Sequence, residues 1–246
     1  MSLQTEVDQL IAPYKNLVSI CMYDTDELVY SHHSHQQMPA ASLIKLAILA
    51  TELERNEDLS QLIKVKETPA VGGAGVLKLM AQSEWSLADL LALMISVSDN
   101  YAANAVIDHL TMQVVNQWLA VNHYQETSLQ RRLMDVEAKV SGHENLTSAF
   151  EALRLFRGLM AHYPKSTQWF LNQQFRGKLP LLMDETATDV AIYNKTGEGP
   201  LIDHDVARFS KKGHYIDVAV LTQGFTNRLT AISLMAQIGQ LVYRSL

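Results

Sequence analysis

The sequence predicts an α+β fold in two lobes, an antiparallel sheet flanked by terminal helices and an all-helical lobe inserted between the halves of that sheet. Three observations lead there. β-prone segments fall near the two ends of the chain, apolar residues at helical spacing fill the middle, and amphipathic helices open and close the sequence. Residues 1–39 and 176–246 then make the sheet-containing lobe, and residues 40–175 the helical lobe.

Leu3, Val7, Leu10 and Ile11 repeat at helical spacing up to Pro13, a short N-terminal helix. Asn16 to Tyr23 and Glu27 to Ser31 are β-prone runs joined by Asp24-Thr25-Asp26, a hairpin. From Ala40 to about Phe175 the pattern is almost wholly helical, broken by the loop Gly72-Gly73-Ala74-Gly75. Ser86 caps a helix apolar on nearly all sides, which runs into Ser98-Asp99-Asn100; Tyr101 to Leu110 resumes helical patterning. Thr111 and Ser148 start further helices, the second closed by Pro164, and the polar stretch Leu129 to Asn145 between them is a loop. After Leu182 the period changes to two. Val190 to Thr196 is a strand, Asp205 to Phe209 and Tyr215 to Thr222 a hairpin, and Asn227 caps a final helix reaching about Arg244. The two β-rich ends join most simply into one antiparallel sheet.

Composition narrows the function. A chain of 246 residues, 48% hydrophobic and 19% charged, can bury one sizeable core or two lobes sharing an interface. The formal charge of −6, without a long run of one sign, argues against nucleic acid and against a polybasic membrane-surface role. Cys21 is the only cysteine, so no intrachain disulfide forms. No stretch is long and apolar enough to span a bilayer, and the first ten residues lack the basic and apolar regions of an export signal. Two compartments follow from that start, the cytoplasm or an exported protein shown without its leader. His32, His33 and His35 invite a metal, but with one thiol and no H-E-x-x-H or C-x-x-C pattern they read as a polar connection, and no metal or organic cofactor is expected.

Chemistry enters at Ser42 and Lys45. Placed in the first turn of a helix beginning near Pro39 and Ala40, they project from one face. A serine hydroxyl attacks only when an adjacent base takes its proton, and a lysine held neutral by apolar surroundings is such a base. Alone, S-x-x-K is weak, since about one match is expected by chance in a chain this long. Ser98-Asp99-Asn100 and Lys195-Thr196-Gly197 follow in order, and each tripeptide is expected well under about 0.1 times.

These motifs, in this order, resemble those of the penicillin-recognising serine hydrolases, most closely the class A β-lactamase-like family. The resemblance covers essentially the whole chain and implies a two-lobe β-lactamase/transpeptidase-like fold with the active site in the cleft between helical lobe and sheet. It implies Ser42 as the acylated nucleophile, Lys45 as its proton partner and Ser98 as the relay to the leaving nitrogen. Asn100 would bind a substrate amide, Lys195 and Thr196 a substrate carboxylate, and Gly197 would let substrate approach the strand edge. The backbone N–H groups of Ser42 and Glu198 would form the oxyanion hole, while Asp99 orients its own loop. One departure bears on turnover. The family's glutamate-plus-asparagine pair, which holds the deacylating water, has no counterpart at matching spacing in Arg131 to Gly142; Asp135 and Glu137 are the candidates to replace it. The expected activity is β-lactam hydrolysis with slow deacylation. A peptidase or esterase acting on cell-wall-like peptides is the alternative, and a β-lactam or cell-wall-fragment binder without turnover the rival outside enzymes. In each case the partner is a small molecule.

Overall fold

A computed structural model describes residues 1–184 and 186–246. In chain order the helices are α1 (Leu3–Ile11), α2 (Ile44–Glu54), α3 (Leu87–Ser96), α4 (Asn100–Leu110), α5 (Met112–Val121), α6 (Val136–Val140), α7 (Ala149–His162), α8 (Pro164–Leu171) and α9 (Arg228–Arg244). The strands are β1 (Val18–Asp24), β2 (Glu27–His32), β3 (Met38–Pro39), β4 (Leu62–Lys64), β5 (Glu84–Ser86), β6 (Leu146–Thr147), β7 (Ala191–Gly199), β8 (Ile202–Lys211) and β9 (His214–Gln223). The expected caps are in place: Ser86, Thr111, Ser148 and Asn227 each accept a backbone N–H of the helix that follows, a contribution of about 1 kcal/mol apiece.

Both β-rich ends of the chain meet in one five-stranded antiparallel sheet of order β2-β1-β9-β8-β7. Its central strands are buried on both faces, and the period of two sorts their side chains. Ile20, Met22, Val218, Val220, Ala207 and Phe209 pack towards α1 and α9, whereas Cys21, Ala219, Leu221 and Val206 join the apolar cluster of the helical middle. Coverage on both sides explains why β9 reads as a nearly continuous apolar run.

The middle is less purely helical than its sequence suggests. Two short ribbons lie within or at the border of that stretch, β4 with β5 and β3 with β6. Pro39, which the sequence marks as the start of a helix, instead pairs with Leu146 in the second ribbon. Pro164 closes α7 and also opens α8, at a first-turn position where its missing N–H costs nothing. The loop from Leu129 to Asn145 carries a single short helix, α6. No helix among the described residues is long and apolar enough to cross a membrane.

β7 is an edge strand, and behind it the segment around Leu179 runs against α9. A methyl added at Gly239 would lie 2.0 Å from Leu179 O. Gly239→Ala is expected to cost about 1–3 kcal/mol through overpacking, although an unobstructed helix gains up to ~1 kcal/mol from the same change. Urea unfolding measures the sign, and an unchanged or raised midpoint would show that the backbone at Leu179 gives way freely.

Candidate active site

The chain reaches Ser42 through β3 and a turn of 3-10 helix, Ala41–Leu43, which runs straight into α2. Ala41 holds φ +46°, a left-handed conformation that costs a non-glycine residue about 1–3 kcal/mol and persists only where the surroundings enforce it. Three contacts enforce it here. Ala40 N–H donates to Asn145 O at 2.7 Å, and His204 Nε2 on β8 meets Pro39 O at 2.9 Å. Gly197 on β7 supplies the third, because a Cβ there would stand 3.2 Å from Ala40 O and 3.3 Å from Ala41 Cβ. The resemblance implies that Gly197 lets substrate approach the strand edge; its bare Cα also leaves room for the turn that carries Ser42.

His204 has a defined tautomer. Nδ1 accepts Thr222 N–H at 3.1 Å, so the ring proton is on Nε2 and points at Pro39 O. Burial pushes its pKa down to about 4, which keeps the ring neutral.

Ser42 and Lys45 share a face, as their spacing predicts, with Lys45 Nζ 3.1 Å from Ser42 Oγ. The amine is fully buried and also contacts Ser98 O at 2.6 Å, Asn100 Oδ1 at 2.8 Å and Ser98 Oγ at 3.2 Å. Burial, with the Lys195 charge nearby, holds its pKa well below the usual lysine range, and Asp99 offsets this in part. Lys195 Nζ, also buried, donates to Ser98 Oγ at 2.9 Å and to Thr196 O at 2.8 Å. Its pKa is lowered to about 7 by burial and then by Lys178, against the pull of Asp205 and Glu198.

The Ser98-Asp99-Asn100 turn joins α3 to α4, with Ser98 at φ +51°. Asp99 caps α4 through Ala102 N–H at 2.9 Å, and its second oxygen accepts Val76 N–H at 2.6 Å and Leu77 N–H at 2.7 Å. The glycine loop is thereby folded onto the turn. Gly75 at φ +108° lies so close that a Cβ would sit 2.2 Å from the Asp99 carboxylate. Asn100 Nδ2 donates one hydrogen to Gly72 O at 3.2 Å.

A cleft of about 490 Å³ opens at Ser42 and continues into a recess of about 330 Å³ that contains Ser98 and Thr196; Asn100, Met134 and Glu198 line both. The loop above it is fastened at its neck by Arg131 to Glu144 at 2.6 Å and by Asn145, whose side-chain oxygen accepts Gln130 N–H and Arg131 N–H. Asn104 of α4 holds the Leu133 backbone from both sides. Neither candidate base hydrogen-bonds to Ser42 or Lys45. Asp135 lines the cleft but its Oδ1 accepts Ala138 N–H at 2.9 Å as the cap of α6, while Glu137 is exposed and outside the lining. Among the described residues no carboxylate hydrogen-bonds to Ser42 or Lys45.

Two contributors carried no motif. Lys178 is buried behind β7, donating to Gly197 O at 2.9 Å and His204 O at 3.2 Å and pairing with Asp203 and Glu198 at 3.2 and 3.3 Å. His204 had a faint signal. Asp203-His204-Asp205 sets three polar residues in succession in a strand, so at least one must point inward.

Fold and motifs together are those of a class A β-lactamase-like serine enzyme. The family model described as the β-lactamase enzyme family matches residues 2–246, and the chain belongs to that family. A β-lactamase from Sphaerobacter thermophilus superposes with a TM-score of 0.81 at 20% identity, over 98% of this chain and 95% of its own. A class A β-lactamase from Mycobacterium abscessus gives 0.83 at 18% identity, over 99% of each chain. PBP-A gives 0.82 at 21%, over 99% of this chain and 95% of its own, and a mutant of it is known as an acyl-enzyme with penicillin G. No curated protein matches the sequence.

Asp99→Ala removes the acceptor of three backbone N–H groups, each costing about 1–3 kcal/mol if left unpaired in the interior. The expected result is a loss of roughly 3 kcal/mol or more in thermal unfolding, with new proteolytic cleavage in residues 72–76; Asp99→Asn, which keeps one acceptor oxygen, should lose less. Equal stability of Asp99→Ala and wild type would show that the loop stands without this carboxylate.

Proposed function

We propose that the chain is a serine hydrolase acylated on Ser42 by β-lactams, and that it releases the acyl group slowly. The supporting observation is the set of partners around Lys45 Nζ. Ser98 O and Asn100 Oδ1 can only accept, so they take both N–H groups of a neutral amine. The lone pair is then left for the Ser42 O–H at 3.1 Å. This supports Lys45 as the group that takes the serine proton as Oγ attacks the amide carbonyl.

The backbone N–H groups of Ser42 and Glu198 receive the oxyanion. Collapse of the tetrahedral intermediate breaks the carbon–nitrogen bond, and the leaving nitrogen takes the Ser98 hydroxyl proton. Lys45, now an ammonium 3.2 Å from Ser98 Oγ, replaces it. Lys195 and Thr196 hold the substrate carboxylate, and the second N–H of Asn100 Nδ2 meets the substrate amide. Release needs a base beside the acyl carbonyl, a contribution of about 10²–10⁴-fold. Asp135 is committed to a helix cap and Glu137 faces solvent. The cleft residue beside them is the apolar Met134. That same feature favours a second reading, a penicillin-binding peptidase of cell-wall-like peptides for which a β-lactam is a trap.

Intact-mass measurement with penicillin G should show one adduct that persists, absent in Ser42→Ala. A chromogenic cephalosporin should give a stoichiometric burst and then a slow phase. Lack of any adduct would overturn the acylation, and a steady rate of about 10²–10³ s⁻¹ would overturn slow release.

A pH dependence follows from Lys195. Its pKa near 7 means a charged ammonium below that pH and a neutral amine above it. For substrates bearing a carboxylate, acylation efficiency should therefore fall as pH rises through about 7, while a neutral ester shows no such fall. Parallel profiles for the two substrate types would remove Lys195 from carboxylate binding.

A further inference from the structure

Two turns beyond Lys45 on the same helix, α2 carries a second buried ionisable group, Glu52. Its side chain has no exposure to solvent, and neither carboxylate oxygen has a hydrogen-bond partner. An unpartnered carboxylate in the interior is among the least favourable groups a protein can bury, and each lone pair demands a donor or a cation. The groups that face it are ligands. His109, near the end of α4, places Nε2 4.0 Å from Glu52 Oε2 and 3.1 Å from Glu57 Oε2, in the turn after α2. The three ligand atoms lie within 4.8 Å of one another, and this is the only such group of three among the described residues.

We propose that Glu52, Glu57 and His109 bind a divalent transition-metal ion, with zinc as the fitting case. One imidazole nitrogen and two carboxylate oxygens form a three-ligand set of the kind zinc accepts, with water completing the tetrahedron. The imidazole favours such an ion over magnesium or calcium, which prefer oxygen alone. Arg55 and Gln61 fix the Glu57 carboxylate, Arg55 on Oε1 and Gln61 on Oε2 at 3.0 Å. A cleft of about 640 Å³ lined by Glu52 and Glu57 lies beside the site. The ion would bridge α2, which bears Lys45 at its other end just after the Ser42 turn, to α4, which begins at Asn100. Bound there, it would tie together the far ends of the two helices whose near ends meet in the candidate active site.

Isothermal titration of the metal-free full chain with zinc chloride tests this. One site per chain is expected, weakened in Glu52→Gln, Glu57→Gln and His109→Ala by at least the roughly 10–100-fold that loss of even an outer-shell partner costs, together with a zinc-dependent rise in the wild-type unfolding temperature. Glu57 is partly exposed, so Glu57→Gln keeps the test open should a core variant fail to fold. Calcium should not reproduce the effect. No zinc uptake by the wild type would overturn the proposal. So would uptake unchanged by all three substitutions, which would assign the ion to surface histidines such as His32, His33 and His35.

Discussion

The site depends on one buried amine. Lys45 lies in a stretch of α2, Ile44 to Glu52, in which every residue is buried, so its nitrogen has no bulk water to replace a lost partner. Desolvation of the ammonium favours the neutral form, and the two obligate acceptors at 2.6 and 2.8 Å complete what a neutral amine can donate. Backbone strain on both sides serves this arrangement. Ala41 and Ser98 both occupy left-handed conformations, and each is held by groups that take no part in the chemistry. His204, Gly197 and Asn145 hold the first, and Asp99 with the glycine loop holds the second. The positions of Ser42 and Ser98 are thus held from the sheet, the loop above the cleft and the start of α4.

Electrostatics link the same parts. Lys195 lowers Lys45, and Lys178 lowers Lys195, so three buried amines, ahead of β7, on β7 and on α2, influence one another in a row. Carboxylates balance the outer end, where Asp203 pairs with Lys178 and Arg228, and Glu198 with the same two cations. Asp205 adds less negative charge than its position suggests, because burial raises its pKa to about 7. The inner end, at Lys195, has no carboxylate hydrogen-bonded to it among the described residues. An anion set against a desolvated ammonium pairs with it more strongly than in water.

Much of this was legible in the sequence. Period and caps placed the terminal helices, the first hairpin and the three late strands within a few residues, because those segments bury regular faces. The three motifs, through the family they resemble, pointed to Ser42, Lys45, Ser98, Asn100, Lys195 and Thr196 together; hydrogen bonds join the first five, and Thr196 lines the recess that contains Ser98. What was hidden has a common cause, since it depends on contacts between segments far apart in the chain. Pro39 looks like a helix start until Leu146 pairs with it. The close approach of Ala40 O to Gly197 has no local signature either. Lys178 has no local pattern at all, being a lone lysine between α8 and β7 whose burial is imposed by Gly197, His204 and Asp203.

The loop over the cleft shows how a fold can keep a frame while changing what the frame presents. Its neck is closed by side chains that saturate backbone groups: Asn145 on Gln130 and Arg131, Asn104 on Leu133, and Asn116 on Leu129. Such anchors fix where the loop leaves and returns, whatever lies between. Between them Met134 stands at φ +65° and Asp135 turns to cap α6. A five-residue helix without its cap would leave orphan N–H groups beside the cleft, so the carboxylate is tied to the element that carries it. The loop therefore shields the serine and the lysine while presenting an apolar side chain and an engaged acid above them.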